Sequence, residues 1–208
     1  MTSRERVLRA IRYKKPDWVP LTYSVTTSAL YKYGEALVDL CRKYANDFYD
    51  VNEIIHIPKR DKEHYRKDGS YYKEVTDAWG CVWVFFQEGI SGEVKKSPLE
   101  DRSALAGYNF PPIADSSPEK RRRRKEEMDR TKERYVGWGS AGSFYEQMQW
   151  LRGVENLMMD IAEECDEVIT LADRLLEEYL IPNIELALEA GADIVGFSDD
   201  WGTQMSLL

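Results

Sequence analysis

Gly191-Ala-Asp-Ile-Val-Gly-Phe-Ser-Asp-Asp-Trp-Gly-Thr-Gln204 is the stretch on which the reading of this chain turns. Asp193 to Phe197 is a short β-branched and aromatic run, too short for a helix and preceded by Gly191. It reads as a buried strand of the parallel-sheet kind. A long amphipathic pattern precedes it, so helix, tight glycine turn and strand form the second half of a βαβ unit. At the strand's carboxyl end stand two adjacent acids, Asp199 and Asp200, then an indole and an amide, Trp201 and Gln204. Parallel α/β folds bind ligands beyond the carboxyl ends of their strands, which makes this group a candidate site. The bland alternative is that one of the acids only caps the next helix.

Upstream, three further runs alternate with helical patterns: Val19–Val25, Asp47–Ile55 and Tyr135–Trp138 read as strands. Thr2-x-x-Glu5 is a capping box that opens a short helix, with Val7, Leu8 and Ile11 on one face. A second helix is expected over 27–44, with Gly34 as its weak point. Residues 59–98 interrupt the alternation. There Tyr71–Thr76 and Cys81–Phe86, joined through Asp77-Ala-Trp-Gly80, predict a β-hairpin excursion. Ser117-Pro118 starts another helix, whose basic run Lys120–Lys125 reads as a solvated face with Arg122–Glu126 and Arg123–Glu127 pairs rather than a nucleic-acid patch. Gly139-Ser-Ala-Gly142 follows the third strand. It is able to cradle an anion on backbone N–H groups, although close strand–helix approach explains its glycines equally well. Pro182 falls inside the pattern 166–190 and should kink or split it. Strands alternating with helices imply a parallel sheet or barrel.

Composition narrows the class. The net charge of -8 argues against nucleic acid as the main partner. No apolar run approaches the roughly 18 residues of a membrane span, and no secretory leader is visible, so the cytoplasm is the expected compartment. Cys41, Cys81 and Cys165 are scattered and odd in number, which indicates neither a disulfide framework nor a closed zinc site. The helix that should follow the last strand does not appear before Leu208. The chain is therefore expected to be the N-terminal part of a longer protein and inactive by itself, with an exposed sheet edge that favours a homodimer.

In order, the chain carries Arg4-Glu-Arg-Val-Leu8, Pro16-Asp-Trp-Val-Pro20, Asp77-Ala-Trp-Gly-Cys-Val-Trp83, Ser97-Pro-Leu-Glu-Asp101, Gly142-Ser-Phe-Tyr-Glu146, Leu151-Arg-Gly153 and Asp199-Asp-Trp-Gly-Thr-Gln204. In this succession it resembles the uroporphyrinogen decarboxylase superfamily, and most its corrinoid:thiol methyltransferase-like branch. The resemblance implies a (β/α)8 TIM barrel, here truncated to about its first four βα units, with residues 1–208 forming an incomplete single barrel domain. It implies methyl transfer between a corrinoid protein and a zinc-activated thiol, with the zinc ligands beyond residue 208 and none supplied by this segment. Asp199 and Asp200 would orient substrate or the partner of a metal ligand, and such a pair also holds one carboxyl's pKa up for proton transfer. Trp201, Gln204 and Trp138 would line the pocket.

Uroporphyrinogen decarboxylation, which needs no cofactor, is the alternative, and an inactive fragment or binding module a further one. In the decarboxylase register the loop tyrosine falls on Gln149, the strand-end serine near Asp199 and the pyrrole-binding aspartate near Asp50. The segment Leu21–Leu37, which bears arginines in those enzymes, contains Lys32 and no arginine. Eight substrate carboxylates would be poorly held without a guanidinium fork.

Overall fold

Residues 1–114 and 116–202 are described by the structure, a computed structural model. The chain divides into two compact units. The first takes Met1–Lys73, Phe85–Gly92 and Lys125–Gly137; the second takes Glu74–Val84, Glu93–Arg124 and the chain from Trp138 onward.

In the first unit, helix α1 (Ser3–Ile11) is closed by the expected capping box: Thr2 Oγ1 accepts from Glu5 N at 3.2 Å, and Glu5 Oε2 from Thr2 N at 2.9 Å. Its buried face carries Val7 and, less expectedly, Arg6. That guanidinium donates to Asp17 at 2.7 Å and to Asp47, and lies 3.6 Å from the centre of the Trp18 ring. The Pro16–Pro20 motif is thus a clamp on a buried cation, which needs such partners to stay charged away from water.

Val19–Val25 is not a strand, contrary to expectation. Pro20 has no N–H, and side chains capture the backbone groups around it. Leu21 N donates to Asp47 Oδ2 at 2.9 Å, and the Tyr23 carbonyl accepts from Tyr49 Oη. Helix α2 (Thr27–Tyr33) and helix α3 (Glu35–Lys43) replace the single expected helix. Gly34 separates them at φ 56°, ψ -142°, which residues with a Cβ avoid. Asp47–Ile55 is not a strand either. Asn46 Oδ1 accepts from Phe48 N at 2.8 Å, and Asp50 N-caps the short helix α4 (Val51–Ile54). Leu30, Val38, Cys41, Val51 and Ile55 form the core of this unit.

The β-rich excursion is present and larger than expected. Strands β1 (Lys73–Thr76), β2 (Val82–Phe85) and β3 (Glu93–Lys96) form one sheet in the order β1-β2-β3, with β2 and β3 antiparallel. The Asp77 carboxylate makes the first turn, accepting from Trp79 N and Cys81 N at 2.9 Å each and from Trp83 Nε1 at 2.7 Å. Helix α5 (Pro118–Arg130) carries the basic run; Met128 is its buried residue, and Arg121 pairs with Glu189 at 2.7 Å.

In the second unit, strand β4 (Gly137–Ser140) starts two residues later than expected and leads into helix α6 (Tyr145–Arg152). Gly153, at φ 83°, turns the chain into helix α7 (Val154–Ala162). Arg152 is buried; it donates to Asp160 at 2.6 Å and to the carbonyls of Leu99 (2.8 Å) and Glu100. Leu151-Arg-Gly153 and Ser97–Asp101 are therefore two halves of one staple. Helix α8 (Asp166–Arg174) passes through a π-helical segment (Leu175–Leu180) into helix α9 (Ile181–Ala190). Pro182 explains the widening, since its ring cannot share space with the carbonyl four residues back. Leu99, Tyr145, Leu151, Leu157, Leu171 and Leu175 belong to the core of this unit.

Among the described residues, strand β5 (Ile194–Gly196) pairs with β4 only. Ala141 N, just past β4, donates to the carbonyl of Gly196 at 2.9 Å, so the two carboxyl ends lie side by side, as in a parallel pair. The expected βαβ unit is realised over 137–196. Its last strand is less buried than expected, with Ile194 44% and Phe197 54% exposed. The architecture is mixed α/β with small sheets, and the described residues form no closed barrel.

Candidate functional site

The site begins with a helix that its own sequence cannot cap. Phe144 occupies the N-cap of α6 and offers no acceptor, so the first N–H groups need one from elsewhere. Pairing of β4 with β5 brings it. Asp199, three residues past β5, accepts from Phe144 N (3.0 Å) and Tyr145 N (2.7 Å) on Oδ2, and from Glu146 N (2.8 Å) on Oδ1. A negative charge against the positive end of the helix dipole adds to those bonds. Asp199 is thus a cap, as the bland alternative had it, but of the helix after β4 rather than the one after β5.

The rest of the cluster follows from that anchor. Trp201 stacks on the buried ring of Tyr145, with centroids 5.1 Å apart and an interplanar angle of 26°. Asp200 is exposed, and its Oδ1 lies 3.4 Å from Gly202 N. Glu146 joins the two aspartates. Burial first, then the charges of Asp199 and Asp200, push its carboxyl above the usual carboxylate range. Reading the sequence assigned Glu146 no role. The available signal was its place in the first turn of the helix after a strand, the counterpart of Asp199 at the neighbouring strand's exit.

The other sequence candidates are dispersed. Trp138 lies on β4, its Nε1 donating to Asn183 Oδ1 at 3.4 Å while the Arg124 guanidinium stands 5.0 Å from the ring centre. Gln149 is half-buried on α6, one turn beyond Tyr145. Asp50 belongs to the first unit, where it caps α4 and lies 3.5 Å from Arg134. Gln204 lies outside the described residues. In the Gly139–Gly142 loop two N–H groups are taken by the protein itself: Gly142 N donates to Ser140 Oγ at 3.1 Å and Ala141 N to the Gly196 carbonyl at 2.9 Å. The anion at this helix start is the chain's own carboxylate.

A second concavity in the same unit, about 710 Å³ and open, is lined by Arg102, Leu105, Tyr108, Glu167, Thr170 and Arg174 among others. Its guanidiniums are held by the protein. Arg174 donates to the carbonyls of Leu105 (3.2 Å) and Tyr108 (3.0 Å), and Arg102 lies 3.0 Å from Cys165 Sγ. Among the described residues no three His, Cys, Asp or Glu side chains are arranged to hold a metal ion. His64, one of the two histidines, sits 2.8 Å from Asp61.

No protein-family model matches the chain, and neither a curated protein nor a solved structure does.

Proposed function

We propose that this chain belongs to a barrel enzyme of the uroporphyrinogen decarboxylase type, acting in methyl transfer between a corrinoid protein and a zinc-activated thiol. What supports the reading is the meeting of Glu146, Asp200 and the Tyr145–Trp201 pair at the adjoining carboxyl ends of β4 and β5. Ligands bind at such ends in parallel α/β folds. In this reading Asp199 positions the helix, Trp201 offers an aromatic surface to the corrin ring, and Asp200 orients amide groups at its rim. Burial, and then the charges of Asp199 and Asp200, make the Glu146 carboxyl beside them easier to protonate than an ordinary carboxylate. The described residues do not fit zinc, so no step of thiol activation is assigned to them.

Binding is the test suited to this segment. Hydroxocobalamin should quench tryptophan emission saturably, and Trp201→Phe or Asp200→Asn should weaken that binding about tenfold, the range of one lost stacking or charged polar contact. Uroporphyrin, tested alongside, should bind poorly for lack of arginine at 21–37. Saturable binding of uroporphyrin with none of the corrinoid would favour the decarboxylase reading instead.

A further inference from the structure

We propose that residues 199–202 form a clasp in which the seat of Asp199 on α6 sets the stack of Trp201 on Tyr145, so that Trp201 swings clear of the strand ends when that seat is lost. This bears on access to the site proposed above, but rests on that reading only for its purpose. The coupling itself follows from the geometry.

Asp199 is separated by only one residue from Trp201, and all three of its bonds to α6 go to the turn that carries Tyr145. Tyr145 is fixed: its ring is buried in the core and its Oη lies 3.7 Å from Met158 Sδ. Trp201 is not, being 52% exposed with Tyr145 as its aromatic contact among the described residues. Strand β5 has ended at Gly196, and between it and Trp201 the bonds from Asp199 to α6 are the anchorage on the helix. The local Asp200–Gly202 contact, at 3.4 Å, tightens the turn without tying it to α6. One end of the segment is therefore pinned electrostatically, and among the described residues the indole beyond it rests on the aromatic face of Tyr145. Loss of the pin should release the face.

The test uses the spectroscopic contribution of Trp201, obtained as the difference between each protein and its Trp201→Phe counterpart. In Asp199→Ala, acrylamide quenching of that component should rise roughly twofold, because an indole 52% exposed in the stack becomes fully accessible. Its near-ultraviolet dichroism should be lost. Asp199→Asn, which keeps the shape and one acceptor oxygen, should give an intermediate change and serves if the alanine variant is unfolded by far-ultraviolet dichroism. Asp199→Glu should restore part of the signal. Ser198→Ala, at the exposed neighbour of Asp199, should leave the Trp201 signal unchanged. The proposal is overturned if folded Asp199→Ala or Asp199→Asn keeps the native Trp201 signature, or if Ser198→Ala changes it equally. Neither result depends on corrinoid, so a failed binding experiment and a failed clasp remain distinguishable.

Discussion

Asp199 shows how little a residue's type says about its work. The place of two adjacent acids just past a strand was legible, and the structure puts them beyond the carboxyl end of β5. That one of them would be consumed by a helix 55 positions upstream was not legible, because the lack of a cap at Phe144 matters only once β4 and β5 pair. Asp199→Ala should destabilise the protein by about 1–3 kcal/mol, the cost of losing a cap with several N–H partners, as read from urea unfolding. Glu146 behaves oppositely. Its folded pKa lies above the ordinary value, so its proton is held more tightly in the native state, and stability falls as pH rises through that window. Glu146→Gln should therefore unfold at a higher temperature than the parent near neutral pH, an advantage that disappears under acid conditions where both are uncharged. Asp17 has the reverse sign. The Arg6 guanidinium holds it at about 2, so its contribution is present above the unfolded value near 4 and is lost as pH falls toward 2. Asp17→Asn should flatten that acid limb, as followed by thermal melts across the pH range.

Helices were more legible than strands. Thr2-x-x-Glu5 and Ser117-Pro118 each carry their cause within a few residues, and both appear in the structure. The strands expected at 19–25 and 47–55 failed because Asn46, Asp47 and Asp50 take over backbone groups that a ladder would need. β3 (Glu93–Lys96) was missed, since Glu-Val-Lys-Lys has only one apolar residue to alternate. The motifs between Ser97 and Gly153 gain a physical meaning absent from the sequence: Arg152 ties the loop before the 3-10 turn Arg102–Gly107 to α6 and α7. Arg152→Ala should cost about 3 kcal/mol, the low end for breaking a buried pair, because it removes the nearer counter-charge of Asp160 while Arg102 stays 3.6 Å away; a lowered denaturation midpoint would show it. Gly34→Ala should cost more than the ordinary helix penalty, because it forces a Cβ into φ 56°, ψ -142° rather than joining α2 to α3.

Across the chain, alternation of strand and helix gave the α/β class and the βαβ unit over 137–196, because that pattern is local and periodic. Sheet closure is set by long-range pairing, which no short run of sequence encodes. Two small sheets and two compact units are what the described residues display. Of the candidate residues, Asp199, Asp200 and Trp201 meet Tyr145 and Glu146, while Asp50 lies in the other unit and caps a helix. The decisive measurement is backbone hydrogen exchange of this chain with and without hydroxocobalamin. Slowed exchange over residues 138–146 and 194–202, with little change elsewhere, is the predicted result. Protection confined to the groove of residues 102–109 and 167–174, or none at any saturating concentration, would contradict a functional site at the ends of β4 and β5.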